Sequence, residues 1–107
     1  MDLYRLQFDD PEGWESNVPG FRFKRRTNGA AGLRLIEILS SASHPDWCVT
    51  GHSGCVLEGT LEIEFDHEVV RFQAGDGMVI PPGPAHRHRP RAITDQVRMA
   101  VVDHPAS

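Results

Sequence analysis

Two short stretches of the chain carry side chains that proteins commonly use to bind transition metals. Cys48 and His52 lie in one stretch, and His86 and His88 lie in the other. Alternate residues on a β-strand point to the same face, so His86 and His88 would share one face. Cys48 and His52 would do the same if a single strand ran unbroken through Gly51. Three imidazoles and one thiolate would suit Zn²⁺ best, with Fe, Ni, Mn or Cu as alternatives.

The residues just before Cys48 could form the wall of a ligand pocket. Trp47 offers an aromatic surface beside polar groups, and His44 and Asp46 could replace one of the metal ligands. A second interpretation stays open, in which Trp47 packs this loop onto the protein and Cys48 is a small buried thiol. The histidines would then hold water or an anionic ligand. A Cys48–Cys55 disulfide is not expected in a reducing compartment.

The elements that would position these residues are short β-strands. Apolar and polar residues alternate over residues 61–65, which is typical of a strand with one face in water, and Val97, Met99 and Val101 alternate with Arg98, Ala100 and Val102 in a last strand. Gly-rich and Pro-rich turns separate such segments at intervals of roughly eight to twelve residues, and no long stretch shows a helical period. The sequence therefore predicts an all-β sandwich or barrel, with further strands at residues 33–39, 69–72 and 78–80.

The length of the chain bounds the number of domains. With 107 residues and 11.9 kDa, it is expected to form one domain. We expect residues 1–31 to form an irregular N-terminal arm that packs on a barrel formed by residues 32–107. Trp14, Phe21 and Phe23 would anchor this arm.

Composition and charge disfavour several classes of protein. The net charge of −4 argues against a dedicated nucleic-acid binder. The sequence has no apolar run long enough to span a membrane and no signal-peptide pattern, which predicts a cytoplasmic protein with reduced thiols. Two charged clusters stand out: a basic one at Arg22, Lys24, Arg25 and Arg26, and an acidic one at Glu58, Glu62, Glu64, Asp66 and Glu68. We interpret both as solvated strand faces, or as complementary surfaces in a dimer.

The spacing of four residues resembles a motif of a known family. Gly75, Pro81, Gly83 and His86 match the second motif of the cupin superfamily, and residues 56–59 resemble the end of its first motif. The resemblance covers roughly residues 32–103 and marks the chain as similar to a short single-domain cupin. It implies a small double-stranded β-helix, the jelly-roll barrel of cupins, and a homodimer.

The first motif departs from the family pattern where it would carry metal ligands. The glutamate of that motif falls on His52, and its two histidines fall on Pro45 and Trp47. The resemblance therefore implies His86 as an intact ligand and His52 as a changed one. Asp46, Trp47, Cys48 and His52 also resemble the Asp-His-Cys-Trp set of one branch of short cupins.

Three functions are consistent with these residues. The leading hypothesis is a small cupin that binds a metal ion or a small polar ligand inside the barrel. The first alternative is a metal-dependent enzyme of the dioxygenase, isomerase or lyase type. The second alternative is a non-catalytic structural or sensing dimer. The sequence indicates no substrate and does not decide whether the protein is an enzyme.

Overall fold

The computed structural model describes residues 2–43 and 45–105, and in these ranges the chain forms nine β-strands and one short 3-10 helix. The helix covers Pro84–His86. No helix in the same ranges is long and apolar enough to cross a membrane. The strands are β1 (Glu15–Val18), β2 (Phe21–Asn28), β3 (Ala31–Leu39), β4 (Gly51–Glu58), β5 (Thr60–Phe65), β6 (Val69–Gln73), β7 (Gly77–Ile80), β8 (His88–Ala92) and β9 (Gln96–His104).

The strands form two antiparallel sheets that pack against each other as a jelly-roll barrel. The larger sheet has the order β1-β2-β3-β9-β4-β7, and the smaller one has the order β6-β5-β8. Consecutive strands β3 and β4 are not neighbours, because β9 lies between them. This architecture confirms the predicted all-β fold.

The hydrophobic core lies between the two sheets. Met99 on β9 is paired with Ile36 on β3 and with Val56 on β4, so three buried side chains form one row across the larger sheet. Leu61 and Ile63 on β5 contribute from the smaller sheet and are 0% and 3% exposed. Burial of each such side chain contributes about 1.5–3 kcal/mol to folding. The apolar residues of the alternating pattern at 61–65 therefore face the core, as the sequence predicted.

The N-terminal region is more regular than the sequence suggested. Residues 15–28 form β1 and β2, and β2 pairs with β3 along its whole length, from Phe21 opposite Ile38 to Asn28 opposite Ala31. We expected the turn-forming residues near Gly20 and Gly29 to lie in an irregular arm. They instead form the two tight turns that connect β1 to β2 and β2 to β3. Both glycines have positive φ angles of 83° and 63°, which side chains with a Cβ atom rarely adopt.

The segment before β1 packs on the outer face of the larger sheet. Lys24 is only 2% exposed, and its Nζ donates hydrogen bonds to the carbonyls of Asp10 at 2.6 Å and Glu12 at 3.2 Å. The guanidinium of Arg22 lies 4.0 Å from the centre of the Trp14 ring. Two members of the basic cluster thus hold the chain's own N-terminal segment in place.

Candidate metal centre

A local backbone pairing brings Cys48 beside His88. The Cys48 amide donates to the His88 carbonyl at 2.8 Å, and the His88 amide donates to the Cys48 carbonyl at 3.0 Å. Residues that pair directly across antiparallel strands have Cβ atoms about 4.5–5.5 Å apart. Cys48 therefore reaches the site through a bridge to β8 and does not lie on the same strand as His52, which belongs to β4.

The imidazole of His52 is held by a carboxylate on the neighbouring strand. His52 pairs with Asp103 on β9, and its Nδ1 lies 2.8 Å from Asp103 Oδ1. Arg34 Nη2 donates to the same Oδ1 at 2.9 Å. Burial alone would raise the pKa of Asp103, but the hydrogen bond from His52 and the charge of Arg34 outweigh it, and the pKa is lowered. Asp103 is therefore an ionised acceptor for His52.

The imidazole of His88 is oriented by the backbone. His88 is 3% exposed, and its Nδ1 lies 3.0 Å from the carbonyl oxygen of His86. A carbonyl oxygen only accepts hydrogen bonds, so Nδ1 carries a hydrogen and donates it, which leaves Nε2 as the ring nitrogen available to the site. Nε2 is buried and has no hydrogen-bond partner among the described residues. The ionised Asp103 carboxylate likewise only accepts hydrogen bonds, so Nδ1 of His52 carries a hydrogen. When the His52 ring is neutral, its lone pair is therefore on Nε2.

The three side chains converge on one point. One ligand atom from each of Cys48, His52 and His88 lies within 4.8 Å of the others. The His52 and His88 rings meet edge to face, with centroids 5.0 Å apart. The imidazole of His52, and then that of His88, stabilise the thiolate against burial and lower the pKa of Cys48 to about 5. Cys48 is therefore a thiolate near neutral pH, the form that binds metals.

The charge of the site also affects His52. Burial would lower the pKa of His52, but Asp103 and the Cys48 thiolate together raise it. A metal ion would have to displace a proton from this ring, so its binding should weaken as the pH falls.

A cavity of about 150 Å³ adjoins the three side chains. Its wall is mostly apolar, with Ile63, Met78 and Met99 among the lining residues, and Arg34 and Asp46 add charged groups. A small pocket of this kind, with a few convergent polar groups, is typical of a ligand site.

The other residues predicted for the site lie in different places. His86 is exposed in the 3-10 helix and lines a separate surface depression with Phe65. Trp47 does not line the cavity; its ring lies 4.4 Å from the guanidinium of Arg87 and 4.4 Å from that of Arg89. Asp46 is exposed and lines the cavity. The predicted pocket residue His44 lies outside the described residues.

The sequence analysis missed Asp103 and Arg34. Asp103 continues the alternation of Val97, Met99 and Val101 by one step, which already places it on the inner face. Arg34 likewise has the parity of Ile36 on β3. The alternation of residues thus predicts that both side chains point to the inner face, but it does not predict the strand pairing that brings them to His52.

Comparison with known proteins identifies the family. The cupin-domain family matches residues 41–104, and the chain belongs to this family. The structure of KdgF from Halomonas sp. is 18% identical, with a TM-score of 0.68 over 88% of this chain and 86% of that one. The comparison with curated protein sequences finds no match.

Two further solved structures share the fold. The cupin domain of Schizosaccharomyces pombe Cnp3 is 15% identical, with a TM-score of 0.65, over 83% of this chain and 63% of that one. The structure of Fe(II) HppE is 15% identical, with a TM-score of 0.68, over 96% of this chain and 62% of that one. This chain therefore spans less than two thirds of either, and similarity at this identity concerns the fold alone.

Proposed function

We propose that this cupin binds a single transition-metal ion through Cys48, His52 and His88, and that the adjoining cavity admits a small polar ligand to it. The observation that carries this proposal is the buried Nε2 of His88, which has no partner among the described residues and lies in a group whose ligand atoms are within 4.8 Å. A buried ring nitrogen without a partner is unfavourable, and a metal ion that displaced any hydrogen from it would satisfy it.

The donor set favours zinc. Thiolate and imidazole are both common zinc ligands, and three protein ligands leave a fourth position for water or substrate, as in catalytic zinc sites. Fe, Ni, Mn and Cu are the alternatives. Bound in this way, zinc supplies a Lewis acid and lowers the pKa of a coordinated water. Metal-dependent catalysis is the second candidate function, and the adjoining cavity of about 150 Å³ favours it over a purely structural metal.

The residues around the three ligands have supporting roles. Asp103 accepts the Nδ1 hydrogen of His52, and the His86 carbonyl accepts that of His88. Partners of this kind fix the ring orientation of metal-bound histidines and increase their basicity. The apolar wall formed by Ile63, Met78 and their neighbours keeps water from the inner side of the site.

Elemental analysis of tag-free protein tests the metal centre. We expect about one metal ion per wild-type chain and at least a tenfold lower content in Cys48→Ser, His52→Ala and His88→Ala. His86→Ala is the matched control, because only the backbone carbonyl of His86 contacts His88. Metal-free wild-type protein after reloading with zinc, or loss of metal in His86→Ala alone, would contradict the proposed ligand set.

We further propose that the protein lies in the cytoplasm, where Cys48 and Cys55 form no disulfide. We also propose that two copies form a homodimer through the β7 edge of the larger sheet. Val79 on β7 is 83% exposed, and Val102 on β9 is 42% exposed. Both pair with Ser53 on β4, so they lie in one row across this end of the sheet. A second copy of β7 would satisfy the unpaired edge by two-fold symmetry.

Light scattering coupled to size-exclusion chromatography tests the dimer. We expect twice the mass of the chain for wild type and a single-chain mass for Val79→Lys. The matched control Val69→Lys changes an exposed valine on β6 of the smaller sheet and should remain dimeric. A monomeric wild-type protein would contradict this assembly.

A further inference from the structure

The cavity beside the proposed metal centre contains one permanent positive charge. Among the described residues that line it, Arg34 is the only lysine or arginine. Its position on β3 has the inward phase of Ile36 and Ile38, and its side chain is 19% exposed. An arginine in a cavity whose wall is mostly apolar needs partners for its hydrogen-bond donors.

The partners of Arg34 within the chain are incomplete. Its Nη2 donates to Asp103 Oδ1 at 2.9 Å, but this oxygen also accepts from His52 at 2.8 Å. The Nε of Arg34 is buried and has no hydrogen-bond partner among the described residues. Because the side chain of Arg34 lines the cavity, guanidinium N–H groups that do not bond to Asp103 can donate to an acceptor there.

We propose that the ligand of this cavity is a small monocarboxylate with an apolar chain, whose carboxylate pairs with Arg34. This inference rests on the metal centre proposed above. The planar guanidinium fork matches a carboxylate in geometry, and the apolar lining suits a hydrocarbon chain. A cavity of about 150 Å³ holds a molecule the size of benzene, so the ligand has roughly six to eight non-hydrogen atoms.

The single guanidinium limits the charge of the ligand. Arg34 is the only lysine or arginine among the described lining residues, and the exposed carboxylate of Asp46 lines the cavity as well. One carboxylate matches the single charge of Arg34. A phosphate monoester carries nearly twice that charge at neutral pH and would need a second cation in the cavity wall.

Calorimetric titration of zinc-loaded protein with hexanoate and hexanamide tests this inference. Hexanoate should bind the wild type at least tenfold more tightly than hexanamide, which has the same shape without the charge. Arg34→Gln should weaken hexanoate binding at least tenfold and should weaken hexanamide binding less, because the amide carries no charge. Arg71→Gln is the matched control on the exposed face of the smaller sheet, where Arg71 pairs with Glu62, and should bind hexanoate like wild type.

The zinc content of each sample separates the two proposals. Wild-type protein that fails to hold zinc would contradict the metal centre. Zinc-loaded wild type that does not bind hexanoate, or binds hexanamide equally well, would overturn the carboxylate inference alone. Equal hexanoate affinity in Arg34→Gln and wild type would also overturn it, and would limit Arg34 to a structural ion pair with Asp103. Because the comparison of hexanoate with hexanamide uses wild-type protein, it remains decisive if Arg34→Gln does not fold.

Discussion

At the scale of single residues, the site depends on how each imidazole is held. His52 and His88 both use Nδ1 as a donor, one to a carboxylate and the other to a backbone carbonyl. This arrangement leaves Nε2 of both neutral rings as the nitrogen that can bind a metal. Of the two acceptors, only the Asp103 carboxylate is a charged side chain that a substitution can change; the His86 carbonyl belongs to the backbone.

Removing the charge of Asp103 should therefore weaken metal binding without removing a ligand. We expect Asp103→Asn to lower zinc affinity by roughly 10–100-fold, the usual effect of losing such a partner. Competition with a chromogenic chelator measures the dissociation constant. The matched control Asp66→Asn removes a carboxylate that pairs with Arg87 on the other sheet and should leave the affinity unchanged. Equal affinities for Asp103→Asn and wild type would show that the charge of Asp103 does not support metal binding by His52.

At the scale of elements, the pairing of β2, β3 and β9 aligns three charged side chains in a row on the outer face of the larger sheet. Glu37 on β3 pairs with Arg22 on β2 and with Arg98 on β9, both in register and through its carboxylate. Glu37 is 5% exposed. Burial would raise its pKa, but Arg22 and then Arg98 outweigh burial and lower it below the ordinary value of 4.5.

The ion pairs of this row should make the free energy of unfolding depend on pH. A carboxylate with a lowered pKa stabilises the folded state fully above its unfolded pKa and loses that effect as the pH falls through its folded pKa. At pH 7 we expect wild type to exceed Glu37→Gln by about 1.5–3 kcal/mol in free energy of unfolding, and the difference to shrink below pH 4.5. Urea unfolding across this range measures it, with the exposed Glu68→Gln as control. A difference that does not depend on pH would contradict the ion-pair origin.

At the scale of the whole molecule, the proposed metal centre joins the two sheets. His52 belongs to β4 of the larger sheet, and His88 belongs to β8 of the smaller one. Cys48 is tied to β8 by two backbone hydrogen bonds. A metal ion bound by all three would therefore oppose separation of the sheets and stabilise the folded barrel.

Thermal unfolding measures this effect. Free zinc at 100 times its dissociation constant should add about 2.7 kcal/mol to stability, which for a chain of this size raises the melting temperature by on the order of 10 °C. EDTA should abolish the increase in wild type, and His88→Ala should lack it. His86→Ala should keep the increase. A melting temperature that does not respond to zinc in wild type would contradict a centre that joins the sheets.

The amino-acid sequence alone predicted the class of fold and three of the proposed metal ligands. Alternation of apolar and polar residues, as at 61–65, fixes which side chains face inward, because the period of a strand is two. The Gly and Pro turns and the spacing from Gly75 to His86 indicated a cupin barrel. Cys48, His52 and His88 were among the predicted ligands, since their types suit a transition metal.

Which residues meet at the site depends on how distant strands pair. The 3-10 helix that begins at Pro84 uses the residues after Gly83, so β8 begins at His88, and His86 lies exposed before it. Asp103 reaches His52 from 51 residues away through the β4–β9 register. Local sequence fixes the direction of a side chain on its strand. Pairing between distant strands is set by the packing of the whole barrel, and so is the identity of the residues around a site.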